Sequence, residues 1–454
     1  MKKPVVKLLV LLLLFDALTG CGAHTYGLDP NNPITITMWH NYGGQMKDTM
    51  DALITEFNNT VGRDRGIAIN VTSIQASKDQ NEKLAMIARG DPGAPEMPDI
   101  ATAYPSMALL LREAGLLAPL DDYFTEQELS DYVDTFVAEG RLPDGKLYVF
   151  PISKSTEALF VNKTLFDRFS QATGVTMESL STFEGIARAA AQYYAWTDAQ
   201  TPDVPNDGKT FFTADSWFNI AQVGSAQLGE EIVAGLDKLN TDSAAFQKVW
   251  DFSVLPALNG AYAVVDGYSS DLSRTGEIIC SIGSTAGILF YGDSITYPDN
   301  TKESVEYSVL PYPVFEGGKK IALQRGAGMI VAKSSPQKEY AATLFLKWFT
   351  SPKQNMRFVS STGYLPVTRE AYEQHLTEDS PAVDNPSVQR LLKTATLMHK
   401  EYAFVVAPQT ESFSSLSEAY EKGIRQAMRD GRQKVLNGAD AAAVSGELFS
   451  GFIR

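Results

Sequence analysis

Few residues in this sequence are arranged to make or break a covalent bond. Gly283-Ser284-Thr285-Ala286-Gly287 has the glycine spacing of a hydrolase nucleophile elbow, but a threonine stands where the nucleophilic serine belongs. His375 and His399 are the only histidines downstream of it, and both fall in segments with the pattern of solvated helices. Because the motif lacks its serine and a well-placed base, an acyl-transfer enzyme is disfavoured.

Metal and redox chemistry also lack the residues they need. The chain has two cysteines and four histidines and no His-Glu-x-x-His motif, so zinc and iron–sulfur sites are not expected. Paired carboxylates of a glycosidase stay open as an alternative, because any acidic chain offers many and no pair stands out. We therefore expect no metal, no cofactor and no enzymatic activity. A secreted carbohydrate-active hydrolase is the less favoured hypothesis.

One cysteine is placed for a different chemistry, the attachment of a lipid. Three lysines precede an unbroken apolar run from Leu8 to Phe15, which is followed by Leu18-Thr19-Gly20-Cys21. This pattern resembles the lipobox of bacterial lipoproteins, in which Cys21 becomes the acylated amino terminus after cleavage. A plain signal peptide with an incidental cysteine and a signal anchor are the alternatives. We expect a signal peptide over residues 1–20 and a polar tether over residues 21–33.

The charge balance disfavours one class of partner. Lys and Arg total 39 against 54 Asp and Glu, a formal net charge of −15, and such an acidic chain repels phosphate backbones. A nucleic-acid-binding role is therefore not expected. Hydrophobic residues make up 44% of the 454 residues, enough to bury large cores in two or three domains. Beyond the amino-terminal run, no stretch of about 18 apolar residues occurs that could span a membrane.

Strands and helices alternate in the first third of the chain. Residues 34–39 alternate like a half-buried strand, and the apolar residues between Met46 and Phe57 share one helix face. Residues 67–71 and 99–104 repeat the strand pattern, and a helix is expected over 106–114. This order predicts a mostly parallel sheet covered on both faces.

The remainder of the chain is predicted to be richer in helix. Helices are expected over residues 182–196, 244–258 and 340–349, and strands over 307–310 and 327–332, with a largely helical carboxyl terminus. The segment around Cys280 has a strand pattern, so this internal thiol is expected to be buried and inert.

Several short motifs, weak alone, together resemble one family. In order and spacing they are similar to the extracytoplasmic solute-binding proteins of ABC importers, the sugar-type lipoproteins, and the likeness runs over most of residues 34–372. The nearest branch is that of the glycerol-3-phosphate and oligosaccharide binders. The motifs are Trp39-His40-Asn41, Met97-Pro98-Asp99-Ile100, residues 115–120, 144–151 and 159–163, Gly326-Ala327-Gly328, residues 334–338, and Thr362-Gly363-Tyr364-Leu365-Pro366-Val367.

The resemblance implies an α/β, periplasmic-binding-protein-like fold with two α/β lobes and a hinged interlobe cleft. Closure of such a cleft buries a polar ligand while hinge residues absorb the rotation. The crossings between lobes are expected near residues 151–155 and 322–326, and a third near 370–380. The expected lobes are residues 34–153 plus 322–372 for lobe 1 and residues 154–321 plus 373–454 for lobe 2.

The resemblance also places candidate ligand-binding residues at the cleft. A sugar site needs aromatic platforms and many neutral or acidic hydrogen-bonding partners. Trp39 could equally be a core aromatic, and Tyr364 could instead pack under a turn, although the family places it in the cleft. Trp217 is a minor platform candidate, and Arg325 could contact sugar hydroxyls or pair with Glu157. The candidates are Trp39, His40, Tyr104, Ser106, Ser155, Glu157, Ser284, Thr285, Arg325, Gly326 and Tyr364, with Cys21 as the lipidation site.

The function implied by the resemblance is capture rather than catalysis. We expect a monomeric, lipid-anchored, extracytoplasmic receptor that binds a mono- or oligosaccharide and delivers it to the membrane permease of an ABC importer. A binder of glycerol-3-phosphate or its diesters is the alternative. That branch holds the anionic end of its ligand with a carboxyl-terminal arginine, but residues 402–408 of this chain contain no basic residue. Sugars without phosphate are therefore expected to bind better than phosphorylated ones.

Overall fold

A computed structural model describes residues 26–74, 77–235, 238–375, 385–408 and 412–452. The predicted signal peptide and Cys21 lie outside the described residues. The strands are β1 Ile34–His40, β2 Ile67–Ser73, β3 Ile100–Ala103, β4 Glu157–Asn162, β5 Phe212–Ala214, β6 Val233–Ala234, β7 Lys238–Leu239, β8 Cys280–Ser284, β9 Ser294–Thr296, β10 Lys302–Ser304, β11 Tyr307–Leu310, β12 Ile321–Leu323, β13 Gly328–Val331 and β14 Ala403–Val405.

Helices fill most of the remainder. They are α1 Gly44–Phe57, α2 Arg63–Arg65, α3 Ser77–Arg89, α4 Pro105–Glu113, α5 Glu126–Leu129, α6 Asp134–Glu139, α7 Lys163–Thr173, α8 Phe183–Asp198, α9 Trp217–Gln227, α10 Ala244–Leu258, α11 Ser269–Thr275, α12 Pro336–Phe349, α13 Pro352–Ser360, α14 Arg369–His375, α15 Pro386–Glu401, α16 Ser412–Leu436 and α17 Ala441–Phe452. A π-helix covers Asn58–Gly62, and 3₁₀ helices cover Leu120–Asp122, Met177–Ser181 and Thr285–Phe290. Among the described residues, none of these helices is long and apolar enough to cross a bilayer.

The first sheet has the strand order β13-β3-β1-β2. β1 pairs in parallel with β2 and β3, while β13 joins β3 antiparallel. Apolar residues of α1, α12 and α13 cover one face, and those of α3 and α4 cover the other. The predicted parallel sheet with two covered faces is confirmed here. Because β1 and β3 run the same way, the residues that follow them share one edge of the sheet.

The second sheet has the order β11-β4-β8-β5 and is mixed. β4 is antiparallel to β11 and β8, and β5 is parallel to β8. The register sets Glu157, at the start of β4, opposite Ser284 at the end of β8. The amide of Asp215, just after β5, donates to the Ile282 carbonyl at 3.0 Å. One edge of this sheet therefore collects three polar residues from distant parts of the chain.

Local signals explain most of the predicted elements. The helix expected over 244–258 has those bounds because the Ser243 hydroxyl accepts a hydrogen bond from the Phe246 amide and caps its first turn. Thr182 caps α8 in the same way. Cys280 is buried in β8, so its expected burial is confirmed, and burial raises the pKa of its thiol.

Adjacent backbone segments connect the two sheets. Phe150 forms an antiparallel bridge with Met329, and Ser155 forms one with Arg325. A further segment joins this ladder, because Lys154 and Leu365 exchange backbone hydrogen bonds of 3.1 and 2.6 Å. These bridges lie where the first two crossings between lobes are expected, and the division into lobes there stays a prediction. Residues 370–375 fall in α14 and residues 376–384 lie outside the described residues, so the third crossing stays a prediction.

Candidate ligand-binding cleft

An ion pair between Arg325 and Glu157 lies at the centre of the site. Glu157 is 1% exposed, and its Oε1 accepts hydrogen bonds from Arg325 Nη1 at 2.8 Å and from Asn219 Nδ2 at 2.6 Å. Its Oε2 is buried and has no hydrogen-bond partner among the described residues. Burial raises the pKa of the Glu157 carboxyl, and the positive charge of Arg325 opposes that rise. The Arg325 side chain is 35% exposed, so one face of the pair is open to a ligand.

The crossing segments fix Arg325 through their backbone. The Ser155 amide donates to the Arg325 carbonyl at 2.9 Å, and the Arg325 amide donates to the Ser155 carbonyl at 2.7 Å. Gly326 has a φ of +103°, and a Cβ at this position would lie 3.0 Å from the Lys154 Cα. Ser155 and Gly326 therefore position the arginine through the main chain. Direct ligand contact by either residue stays a prediction.

Asp215 is a second carboxylate of the site and was missed by the sequence reasoning. It follows β5, and its Oδ1 accepts a hydrogen bond from the Ser269 amide at 2.8 Å. Its Oδ2 lies over Gly283, where a Cβ would approach to 2.5 Å. Its negative charge acts on both Glu157 and Arg325. An aspartate after a three-residue strand reads as an ordinary turn residue, so the sequence carried little signal for it.

Aromatic rings form another part of the site, beside the first sheet. Tyr364 stacks on Phe358 with a centroid distance of 6.1 Å and meets Tyr42 edge-on at 6.2 Å. Burial raises the pKa of the Tyr364 hydroxyl, and Tyr42 and Tyr104 raise it further while Arg325 lowers it. Tyr104 follows β3 and is 40% exposed. These rings lie within electrostatic reach of Arg325 and could offer faces to a sugar ring.

Three predicted site residues use polar atoms to hold neighbouring backbone. His40 and Thr285 are buried and Ser284 is half-buried, and a ligand contact by any of them stays a prediction. His40 is fully buried, and its Nδ1 accepts the Tyr42 amide hydrogen at 3.2 Å. Burial lowers the pKa of His40, and Asp51 opposes this change. The buried Thr285 hydroxyl accepts from the Thr156 amide at 3.2 Å. Ser284 Oγ accepts from the Ala286 amide and caps the 3₁₀ helix. These contacts position the site's backbone.

Two further candidates lie in β1 and in α4. Trp39 is partly buried and packs against the apolar cluster between β3 and the helices α3 and α4. Ser106 is half-buried in the first turn of α4. A ligand contact by either residue stays a prediction. Trp217, in contrast, is fully buried, so the expectation that it could serve as a platform is wrong.

The amino terminus of α9 lies next to the Arg325–Glu157 pair, and the carboxylate of Glu421 accepts a hydrogen bond from its backbone. Glu421 Oε1, from α16, accepts hydrogen bonds from the Ser216 hydroxyl at 2.6 Å and the Phe218 amide at 2.9 Å. Arg425 pairs with Glu421 at 3.2 Å and donates to the Asp215 carbonyl at 3.3 Å. A helix amino terminus and an arginine would suit an anion. Both are already satisfied within the chain.

A second ion pair lies behind the first on the crossing segments. Lys154 Nζ is 2.9 Å from Glu139 Oε2, and the two side chains are 3% and 8% exposed. Lys154 Nζ also donates to the Gly326 carbonyl at 2.9 Å, and Gln324 Nε2 donates to Glu139. This pair ties α6 to the segments that contain Lys154 and Gly326.

Two further observations concern the described residues outside this cleft. No group of three or more His, Cys, Asp and Glu residues in the described ranges is arranged to hold a metal ion. A separate cavity of about 310 Å³ lies between the end of α7 and the start of α8. Its lining includes Arg188, which pairs with Glu316 at 2.8 Å, and none of the crossing residues.

Comparison with known proteins places this geometry in context. The model of the bacterial extracellular solute-binding protein family matches residues 52–385. The sn-glycerol-3-phosphate-binding periplasmic protein UgpB of Brucella suis biovar 1 is 23% identical over 451 residues, covering 96% of this chain and 97% of that protein. The cyclic alpha-maltosyl-1,6-maltose binding protein from Arthrobacter globiformis has a TM-score of 0.69 at 18% identity, covering 93% and 98% of the two chains.

A second solved structure shares the fold. UgpB from Mycobacterium tuberculosis in complex with glycerophosphocholine has a TM-score of 0.68 at 18% identity, covering 92% of this chain and 97% of that one. The expected fold class, two α/β lobes with an interlobe cleft, is confirmed by these two neighbours. The lobe boundaries expected from the motifs remain a prediction.

Proposed function

The chain belongs to the bacterial extracellular solute-binding protein family, and we propose that it is the receptor subunit of an ABC importer for a saccharide without a phosphate group. The ligand is a mono- or oligosaccharide held between the two lobes, and the subunit makes and breaks no bond. The Arg325–Glu157 pair at 2.8 Å is the observation that carries this proposal.

The pair matters because a phosphate ester needs unmatched positive charge. Desolvating a dianion without a matched set of donors costs several kcal/mol, which a few neutral hydrogen bonds do not offset. Arg325 is paired with Glu157, and the α9 amino terminus and Arg425 are engaged by Glu421. Sugar hydroxyls, in contrast, can donate to the carboxylates and accept from the exposed part of Arg325. The site therefore suits a saccharide better than its phosphate.

The aromatic residues support the same class of ligand. A sugar ring has apolar C–H faces that pack on aromatic rings, and hydroxyl groups around its edge. Tyr104, Tyr364, Glu157 and Asp215 all lie within electrostatic reach of Arg325. Aromatic rings and carboxylates are therefore gathered around one arginine, and a saccharide has surfaces for both.

Glycerol-3-phosphate or one of its diesters is the second candidate. The relative from Brucella suis biovar 1 carries that ligand in its name, and it spans nearly the whole of this chain. Arg325 is the residue that would have to receive the phosphate here, after its release from Glu157. At 23% identity, the ligand of that relative supports the candidate without deciding between the two.

The remaining parts of the role follow from the amino terminus and the family. We propose that Cys21 carries a lipid that holds the monomeric receptor on the outer side of the membrane, where the permease takes over the ligand. Replacing Cys21 with alanine would abolish labelling by a fatty acid and leave a soluble or uncleaved protein. Continued labelling and partition into detergent would contradict this anchor.

Calorimetry decides between the two ligand classes. A panel of neutral mono- and oligosaccharides, their phosphorylated counterparts and glycerol-3-phosphate would be titrated into the purified protein. We expect a neutral saccharide to bind more tightly than its phosphate. Tighter binding of a phosphate ester, weakened by Arg325→Ala, would overturn the proposal and favour the glycerol-3-phosphate class. Catalytic turnover of a saccharide would also contradict it.

A further inference from the structure

The charges gathered at the cleft do not balance. Within the described residues, the cluster contains the guanidinium groups of Arg325 and Arg425 and the carboxylates of Glu157, Asp215 and Glu421. Arg325 pairs with Glu157 and Arg425 pairs with Glu421, at 2.8 and 3.2 Å. Asp215 forms no ion pair with any described cation; its Oδ1 accepts from the Ser269 amide. With every group ionised, the cluster has one negative charge in excess.

The cluster is also short of hydrogen-bond donors. Glu157 is almost wholly buried, yet its Oε2 has no donor among the described residues. A buried carboxylate oxygen without a donor is unfavourable, because its lost hydration is not replaced. This deficit is independent of the excess charge on Asp215. Both deficits lie on the second-lobe side of the site, where the ends of β5 and β8 meet the start of β4.

The two deficits together indicate the chemistry of the ligand. A hydroxyl group can supply a donor but no positive charge, and a phosphate supplies neither. A protonated amino group supplies up to three donors and one positive charge. We propose that the preferred ligand is an amino sugar and that Asp215 is the residue that binds its ammonium group, an inference that rests on the saccharide-binding function proposed above.

Asp215 is well placed for that role because its carboxylate is held in a fixed position. The Ser269 amide binds Oδ1, and Oδ2 lies over Gly283, at a place where any side chain would displace it. The residue is only half-buried, so one side of it remains open. A fixed, half-open carboxylate without a counter-ion favours a cation and discriminates against an anion.

Matched sugar pairs provide the test. Each pair consists of an amino sugar and the sugar that has a hydroxyl group in place of each amino group. The pairs are glucosamine with glucose, galactosamine with galactose, and the glucosamine disaccharide with cellobiose. We expect the amino member of at least one pair to bind about tenfold more tightly by calorimetry at about 20 mM salt, with the advantage reduced at about 150 mM salt. Asp215→Asn should reduce the advantage to less than about threefold. Asp203→Asn, which removes an equal charge from an exposed loop, should leave it unchanged.

The outcomes separate this inference from the proposed function. If hydroxyl sugars bind as tightly as their amino counterparts, the amino-sugar inference is wrong while the saccharide function stands. If none of the six sugars binds while another saccharide of the panel does, the amino-sugar inference is wrong and the saccharide function stands. If no saccharide of the panel binds to the unaltered protein, both fail. Should Asp215→Asn not fold, Glu421→Gln removes another negative charge from the cluster with little change of shape. It should lower the amino advantage, and an unchanged advantage would overturn the inference.

Discussion

Two ion pairs on the same crossing segments differ in their access to solvent. Lys154 and Glu139 are both nearly inaccessible, and Gln324 and the Gly326 carbonyl complete their hydrogen bonds. The nitrogen–oxygen distance between Arg325 and Glu157 is similar, at 2.8 Å against 2.9 Å, but 35% of the arginine side chain is exposed. Lys154 and Arg325 lie on adjacent, paired backbone segments. The buried ion pair and the partly exposed one are therefore close neighbours in the structure.

The contrast assigns different roles to the two pairs. An ion pair that solvent cannot reach holds its two side chains in one arrangement. Loss of either member leaves the other as a buried, unpaired charge. A half-open pair can exchange part of its hydrogen bonding with a ligand. We therefore expect the Lys154 pair to determine mainly stability and the Arg325 pair to determine mainly binding. Opposite rankings of variants in these two measurements would support this division.

The largest effect is expected from Lys154→Met. The substitution leaves Glu139 buried without its counter-charge, so the free energy of unfolding should fall by about 3–5 kcal/mol. Denaturant unfolding would measure the loss. The double variant Lys154→Met/Glu139→Gln removes both charges and should recover at least half of it. Saccharide affinity of the folded protein should change little, and a large loss of affinity with normal stability would contradict the structural role.

Arg325→Met should have a smaller effect on stability. It leaves Glu157 without its cation, but water can reach the vacated position, so the expected loss is about 2 kcal/mol. Saccharide affinity should fall more than in the Lys154 variant. Denaturant unfolding of the Lys154→Met and Arg325→Met variants should show the larger loss of stability in the first. Calorimetry should show the larger loss of saccharide affinity in the second. Equal losses of stability and no change in binding would show that exposure does not distinguish the pairs.

The next largest effect is expected from the aromatic residues of the cleft, and it is a loss of saccharide affinity. Tyr364→Ala removes one ring face and should weaken saccharide binding by about 1–2 kcal/mol, or roughly five- to thirtyfold. Tyr364→Phe keeps the ring and should bind almost normally. Trp39→Ala tests the other predicted platform in the same titration. Unaltered affinity in both alanine variants would place these rings in the core rather than in the site.

The smallest effect is expected from His399, a partly buried residue of α15. Burial lowers the pKa of His399, and Arg369 lowers it further, so the unfolded chain binds the proton more readily. Stability should therefore fall as the pH drops below about 6.5, the ordinary histidine value. His399 stacks on Tyr372 at 4.8 Å, so His399→Phe keeps the packing. Unfolding free energies at several pH values should show a weaker acid dependence in this variant, and an identical dependence would contradict the assignment.

The fold class and several of the elements could be predicted from the sequence. Periodicity and caps located α10 and β1, and the motif order predicts crossings near Ser155 and Arg325. Side-chain roles were harder to predict because burial is decided by contacts between distant segments. His40 and Thr285 match motif positions, yet their polar atoms hold neighbouring backbone. Asp215 was missed because its importance depends on Gly283 and Ser269, which only the fold brings to it.

The central claim is that a saccharide binds between the lobes at the Arg325–Glu157 pair. Hydrogen–deuterium exchange with the tightest-binding sugar of the panel tests it most directly. We predict slower exchange in segments from both lobes, at residues 153–157, 283–286, 324–327 and 363–366, and no comparable change near Arg188 beside the separate cavity. Protection confined to one lobe, or protection at that cavity alone, would contradict the account.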